Sequence, residues 1–222
     1  MRTFIINLKN YPEILGERGL TLAKTAESVA ERLPVELVMA PPHPLVARFA
    51  RETRLQVFAQ SVSDAPTGAS TGAIVAEALK ASGAAGTLLN HSEAQVPMAT
   101  VESLLPRLKR EGLKVCVCAK TADEAAVLAM LKPDFVAIEP PELIGSGIAV
   151  SRARPELLSE TVTAARSSKY SGKVLCGAGI VDGADVARAV ALGVDGILVA
   201  SAIVKARDWA AKIAELAQAL VG

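Results

Sequence analysis

Three side chains suited to proton transfer each stand just after a short apolar run. Lys9 comes after the run FII, His91 after TLL, and Glu139 directly after FVAI. A glutamate can abstract a proton next to a carbonyl, a neutral imidazole can polarise that carbonyl, and a lysine can stabilise the enediolate charge that develops. The three residue types together predict an acid–base site, provided that the fold brings their side chains into one pocket.

Eight apolar runs of three or four residues recur along the chain. Their apolar character is continuous rather than alternating, which is typical of parallel strands buried on both faces. The gaps between them leave room for a helix and two loops, as a parallel crossover requires. The runs begin at Phe4, Leu37, Val57, Thr87, Val115, Phe135, Val174 and Ile197.

Apolar residues at helical spacing fill most of the gaps. Thr121 with Glu124 three positions on predicts a capping box, and Pro155 suits the first position of another helix. A short helix is expected between Leu45 and Glu52. Two longer helices have apolar faces at Val101, Leu104, Leu105 and Leu108, and at Trp209, Ile213, Leu216 and Leu220.

The strand–helix alternation predicts an α/β fold, a single compact (β/α)8 barrel over residues 1–222. A doubly wound open sheet is the alternative. That fold usually has a glycine-rich first turn, whereas the stretch from Asn7 to Asn10 contains no glycine. In a barrel the carboxyl ends of the strands form one face, so Lys9, His91 and Glu139 are expected to converge there.

Composition excludes several other classes of function. Hydrophobic residues make up 51% of the 222 residues, the net charge is +1 and aromatics are only 3%, so we expect no nucleic-acid partner. Three cysteines and two histidines argue against a disulfide framework and a metal site. Without an 18-residue apolar span we expect no membrane segment and a cytoplasmic protein.

Several motifs, in order along almost the whole chain, carry a resemblance to a known family. They are NLK at 7–9, AQ at 59–60, GASTG at 68–72, NHSE at 90–93, EPPELIGSG at 139–147 and GAG at 177–179. With them the chain resembles the triosephosphate isomerase family, in particular its shorter archaeal-type branch. The resemblance implies a TIM barrel and an isomerase that interconverts dihydroxyacetone phosphate and D-glyceraldehyde 3-phosphate without a cofactor.

The family's catalytic roles transfer to matching positions of this sequence. The resemblance implies that Glu139 is the general base and His91 the electrophile, a pairing for which this family is itself the standard example. Lys9, with Asn7 beside it, would neutralise the developing charge. If His91 begins a short helical turn, the helix dipole disfavours the imidazolium. Ser92 is expected to hold Glu139 through a hydrogen bond.

The resemblance also implies a lid and a phosphate site. Residues 140–147 would form a mobile active-site lid that brings the N–H of Ile144 or Gly145 onto the phosphate. The other phosphate donors would be the N–H groups of Gly179, Ala200 and Ser201. Many relatives have a serine in place of Gly179 and two glycines in place of Ala200-Ser201, but small side chains leave backbone contacts possible.

Relatives associate as dimers and, in the archaeal branch, often as tetramers, so a homodimer or homotetramer is expected, with the loop around Thr71 reaching a neighbour.

Two other functions remain open from the sequence. One is another phosphate-binding barrel, such as a sugar-phosphate epimerase or an aldolase with a Schiff-base lysine. The other is a barrel that binds a phosphorylated metabolite without turnover.

Overall fold

The computed structural model describes residues 1–143 and 147–222. Within these ranges eight parallel strands form a closed barrel in the order β1 to β8, and β8 pairs with β1. The predicted (β/α)8 fold is therefore confirmed, and the open-sheet alternative is wrong. The strands are β1 Arg2–Asn7, β2 Val35–Ala40, β3 Gln56–Ala59, β4 Gly86–Leu89, β5 Lys114–Ala119, β6 Phe135–Ile138, β7 Lys173–Cys176 and β8 Gly196–Val199.

Each of the eight predicted strand starts lies inside a strand. The runs are apolar throughout because each strand has one face toward the barrel interior and one toward the surrounding helices. In the interior the rings of Phe58 and Phe135 lie 6.1 Å apart. The interior cluster comprises Ile5, Val38, Ala40, Phe58, Leu88, Cys116, Cys118, Phe135, Ala137, Leu175 and Leu198.

Helices occupy the crossovers between the strands. In the described residues they are α1 Glu17–Ala30, α2 Val46–Glu52, α3 Ala76–Ala81, α4 Met98–Arg110, α5 Ala122–Met130, α6 Val150–Ala153, α7 Pro155–Ser167, α8 Gly183–Ala191, α9 Ser201–Val204 and α10 Trp209–Val221. Short 3₁₀ turns lie at Pro12–Ile14, His43–Leu45 and Pro141–Leu143. No helix in this part of the chain is both long and apolar enough to cross a membrane.

The predicted helix signals are largely confirmed. Pro155 is the first residue of α7, and the predicted apolar residues of α4 are buried. Thr121 Oγ1 accepts a hydrogen bond from the N–H of Glu124 at 3.1 Å. The Glu124 carboxylate, however, accepts from the N–H of Lys120 at 2.8 Å. In a capping box the Glu124 carboxylate would accept from the N–H of Thr121. It accepts from the N–H of Lys120 instead, so this half of the prediction is wrong.

An ionic cluster closes the barrel at the amino ends of the strands. The Glu36 carboxylate accepts hydrogen bonds from Lys114 Nζ at 2.9 Å and from Lys173 Nζ at 2.7 Å. Thr3 Oγ1 and Gln56 Nε2 donate to the same carboxylate. These five residues come from five different strands, so one carboxylate ties together most of the bottom of the barrel.

Candidate active site

A cavity of about 340 Å³ opens at the carboxyl ends of the strands. Lys9, His91 and Glu139 all line it, although they come from the ends of β1, β4 and β6. The three candidate catalytic side chains thus meet at one mouth, as the sequence pattern predicts. Other lining residues follow β7 and β8, including Gly177, Ala178, Gly179, Ala200, Ser201 and Lys205.

His91 and Glu139 are in direct contact. His91 Nε2 lies 3.4 Å from Glu139 Oε1, and both residues are buried. Glu139 directly follows β6, where its N–H donates to the carbonyl of Ala119 at 2.7 Å. The second carboxylate oxygen, Oε2, is buried and has no hydrogen-bond partner in the described residues. A buried carboxylate oxygen left free in this way is available to accept a proton from a ligand.

The orientation of the His91 ring is fixed from the opposite side. The N–H of Glu93 donates to His91 Nδ1 at 3.1 Å, and the N–H of Ala94 closes a turn onto the His91 carbonyl at 2.8 Å. A ring nitrogen that accepts a hydrogen bond carries no proton, so the proton of the neutral ring is on Nε2. His91 begins a turn, as expected, and its Nε2 faces Glu139.

Asn90 anchors the loop that carries His91. It adopts a left-handed backbone conformation, with φ of 56°. Its Nδ2 donates to the Cys118 carbonyl at 3.0 Å and to Glu124 Oε1 at 3.1 Å, while its Oδ1 accepts from the N–H of Val96. Asparagine tolerates this conformation better than most residues, and here its side chain binds both flanks of the loop.

Lys9 is held by both its backbone and its ammonium group. Its φ is 46°, and its N–H donates to Asn7 Oδ1 at 3.0 Å. Gln60 Nε2 donates to the Lys9 carbonyl at 3.0 Å. The ammonium forms an ion pair with Glu93 Oε1 at 2.6 Å. Asn7 is the last residue of β1, and its side chain positions the lysine backbone.

A buried thiol lies beside the base. The hydrogen bond with Cys116 and burial, followed by the negative charge of Glu139, raise the pKa of Cys118 well above its usual range. Burial likewise raises the pKa of Cys176 to about 12. All three cysteines are buried free thiols, as expected. Within residues 1–143 and 147–222 no group of three or more His, Cys, Asp and Glu side chains is arranged to hold a metal.

Small residues form the wall after β7 and β8. Gly179 has a φ of 72°, and a methyl group there would overlap the carbonyl of Ile148. Ala200 precedes α9, and no side chain caps this helix. The first N–H groups of a helix lack partners within the helix. The first N–H groups of α9 therefore have no partner within the helix, and the residues that carry them line the cavity where the phosphate was predicted to bind.

Comparison with known proteins agrees with this geometry. The sequence model described as triosephosphate isomerase matches residues 2–217. The chain belongs to the triosephosphate isomerase family. A triosephosphate isomerase of Caldivirga maquilingensis is 46% identical over 98% of this chain and 97% of its own length. One of Cenarchaeum symbiosum is 49% identical over 97% and 96%, and one of Methanocaldococcus jannaschii is 42% identical over 96% and 97%.

These comparisons confirm the predicted family and its archaeal-type branch. They also confirm the predicted enzyme class, an isomerase. Ile144 and Gly145, predicted to contact phosphate, lie outside the described residues. The expected hydrogen bond from Ser92 to Glu139 is wrong for this conformation, because Ser92 Oγ is buried without a partner in the part of the chain that is described.

Some residues of this triosephosphate isomerase family site escaped the sequence analysis. Glu93 was noticed only as a letter of the NHSE motif, yet it contacts both Lys9 and His91. Tyr11 and Lys205 line the cavity, and their spacing along the chain gives no sign of it. Gly177 was noticed only within the GAG motif, yet it borders Glu139 so closely that a larger residue would not leave the same room.

Proposed function

We propose that the protein interconverts dihydroxyacetone phosphate and D-glyceraldehyde 3-phosphate through an enediolate, without a metal or redox cofactor. Family membership supports the reaction. The observation that carries the assignment of residues is the 3.4 Å contact between His91 Nε2 and Glu139 Oε1 in the cavity that Lys9 also lines. An acid–base pair and a cation at one mouth are what an enediolate mechanism requires.

Glu139 is the general base in this mechanism. It removes a proton from C1 of dihydroxyacetone phosphate and returns it to C2, which converts the ketose into the aldose. Its nearly complete burial supports this role, because bulk water is kept away from the base and from the proton that it transfers. The free Oε2 atom supplies an oxygen whose hydrogen bonding is not already satisfied.

His91 is the electrophile and proton shuttle. Its Nε2–H donates to the substrate carbonyl as negative charge develops on the oxygen, and then moves protons between O1 and O2. The Glu93 N–H on Nδ1 supports this role because it holds the ring in the tautomer that donates from Nε2.

Lys9 stabilises the enediolate charge. The ion pair with Glu93 supports an electrostatic role, because it fixes the ammonium at the mouth near the reacting oxygens. It argues against the aldolase alternative, since an ammonium bound to a carboxylate is not the free amine that a Schiff base needs. Asn7 contributes by holding the backbone of Lys9, and its predicted direct contact with substrate stays a prediction.

The phosphate group is bound by backbone N–H groups of Gly179, Ala200 and Ser201 in this proposal. The left-handed Gly179 and the uncapped start of α9 support it. Residues 140–147 act as a lid whose closure adds a donor from Ile144 or Gly145 and excludes water from the enediolate. Pro140 and Pro141 stiffen one end, and Gly147, with φ of 74°, allows motion at the other.

We also propose self-association, as a homodimer or homotetramer, and a cytoplasmic location. The loop of residues 66–72 supports self-association, because Thr71 is exposed while Ser70 Oγ donates to the Pro66 carbonyl at 2.8 Å. An exposed loop that is hydrogen-bonded internally is suited to docking into a second copy.

The proposed reaction is tested by following dihydroxyacetone phosphate in deuterated water. A base that forms an enediolate exchanges its proton with solvent, so glyceraldehyde 3-phosphate should carry deuterium at C2, as proton NMR can detect. Product formed without any deuterium would contradict the enediolate route. Phosphate binding with no turnover would instead support the non-catalytic barrel.

A further inference from the structure

A second lysine lines the cavity beyond Lys9. Lys205 directly follows α9, one short helix after the end of β8. It lines the active-site cavity and also a groove on its outer side, which Val181, Ser201 and Ala202 share. Lys205 therefore stands between the cavity and the solvent, on the side where the phosphate is proposed to bind.

The side chain of Lys205 is positioned by an aromatic ring. Its Nζ lies 5.0 Å from the centroid of the Tyr11 ring, and Tyr11 also lines the cavity. A cation over an aromatic face is attracted by the negative charge density of the ring. The ring is itself packed against the core around the barrel. Tyr11 thus orients the ammonium without neutralising its charge.

The two lysines of the cavity differ in their partners. Lys9 is paired with Glu93 at 2.6 Å, and Glu139 places a further carboxylate in the same cavity. Lys205 has no carboxylate within 4.0 Å among the described residues, and the masked part of the sequence, 144–146, contains none. In the adjoining groove Lys212 is already paired with Glu215. Lys205 is therefore a cation at the cavity entrance whose charge is available to an anionic ligand.

We propose that Lys205 recruits the phosphate group of the substrate to the cavity, a proposal that rests on the proposed function. The substrate is a dianion that has to approach Glu139, and the unpaired ammonium offsets that repulsion. Charges lining a cleft raise the association rate of an oppositely charged ligand, and salt screens the effect over about 8 Å at physiological ionic strength. Tyr11 acts as the positioning residue for this ammonium.

The test compares Lys205→Gln and Lys205→Arg with Lys109→Gln, which removes the same charge from the exposed surface of α4. The ratio kcat/KM for glyceraldehyde 3-phosphate is measured at ionic strengths of about 20 mM and about 0.5 M. We expect Lys205→Gln to lower kcat/KM roughly 10-fold at low salt, mostly through KM, and the deficit to shrink strongly at high salt. Lys205→Arg should retain most of the wild-type value, and Lys109→Gln all of it.

Equal losses in Lys205→Gln and Lys109→Gln would overturn the proposal, as would a loss confined to kcat with an unchanged salt dependence. Binding of inorganic phosphate, measured by calorimetry, separates this proposal from the proposed function. If the wild-type protein does not turn over triose phosphate, weaker phosphate binding by Lys205→Gln still supports recruitment by Lys205. Equal phosphate binding by wild type and variant would refute it, whether or not the isomerase activity exists.

Discussion

A methyl group on Gly177 would lie 2.6 Å from Cγ of Glu139 and 3.2 Å from its Oε1. The N–H of Gly177 donates to the Ile138 carbonyl at 3.0 Å, so the end of β7 is tied directly to the residue before the base. The backbone at the end of β7 thus fills the space beside the Glu139 side chain at the end of β6. Glycine at position 177 is what allows Glu139 to remain against His91.

Gly177→Ala is therefore expected to displace Glu139 and lower kcat by about 10²-fold, the cost of moving a catalytic group by roughly 1 Å. The measurement is steady-state kinetics with glyceraldehyde 3-phosphate. Gly183→Ala, at the start of α8, is the matched control, because a methyl group there meets nothing closer than 3.3 Å. An unchanged kcat in a folded Gly177→Ala protein would show that the base has room to move and still work.

Glu139→Gln should lower kcat by at least about 10²-fold, the lower end of general-base contributions. The amide keeps the size of the side chain but cannot accept the proton. Glu102→Gln on the exposed face of α4 serves as the control and should turn over normally. Turnover by a folded Glu139→Gln variant at the wild-type rate would remove Glu139 from its proposed role.

Lys9→Met should reduce kcat/KM by at least about 10²-fold, with a large part of the loss in kcat, because the enediolate is more strongly charged at its oxygens than the bound ketone. Steady-state kinetics in both directions separate kcat from KM. A change in KM alone would indicate that Lys9 only attracts the phosphate. In that case Lys9 would act as proposed for Lys205, by recruiting the phosphate group of the substrate.

The parts of the structure that the sequence predicted rest on local signals. A continuous apolar run is typical of a strand buried on both faces, so the positions of β1 to β8 followed from these local sequence runs alone. Since the carboxyl ends of barrel strands share one face, placing Lys9, His91 and Glu139 after their runs was enough to predict their convergence.

The rest depends on side-chain directions and loop paths, which spacing along the chain does not encode. Glu93 lies in the turn after β4, where its N–H binds His91 and its carboxylate binds the ammonium of Lys9, 84 positions away along the chain. Lys205, after β8, contacts the ring of Tyr11, which follows the neighbouring strand β1. Ser92 was expected to bind Glu139, but the same turn leaves its hydroxyl buried without a partner in the described residues.

The cluster at the bottom of the barrel gives a prediction on stability. Burial acts to raise the pKa of Glu36, but hydrogen bonds from Lys114, Lys173, Thr3 and Gln56 together outweigh it and lower the pKa from 4.5 to about 2. Glu36→Gln should therefore reduce the free energy of unfolding by roughly 1–3 kcal/mol near neutral pH, because buried donors lose a charged acceptor. Urea unfolding measures this difference.

The pH dependence of that difference follows from the sign of the shift. Because the folded-state pKa of Glu36 is depressed, its contribution is complete above pH 4.5 and is lost as the pH falls toward 2. Wild type and Glu36→Gln should consequently approach equal stability only as the pH falls to about 2. Glu160→Gln on the exposed face of α7 should differ little from wild type at any pH. A gap between wild type and Glu36→Gln that stays constant with pH would contradict the ionic origin of the effect.

The proposed lid gives the last prediction. Deleting residues 142–145 removes two of the three residues of the 3₁₀ turn at Pro141–Leu143 and two of the three residues between that turn and Gly147, which lines the cavity. An enediolate phosphate exposed to water and free to rotate eliminates phosphate and forms methylglyoxal. The deletion should therefore lower isomerase turnover and raise the share of methylglyoxal among the products several-fold, as a colorimetric assay of methylglyoxal can show.

The deletion also removes Glu142, whose carboxylate is paired with Arg154 Nη1 at 3.0 Å. Glu142→Gln separates the loss of this ion pair from the loss of the lid, because it leaves the segment at full length. An exposed ion pair contributes only about 0–1 kcal/mol, so Glu142→Gln should keep methylglyoxal at the wild-type share. If the deletion and Glu142→Gln release methylglyoxal equally, the ion pair rather than the covering segment protects the intermediate. If neither releases more than wild type, the walls of the cavity protect it without a lid.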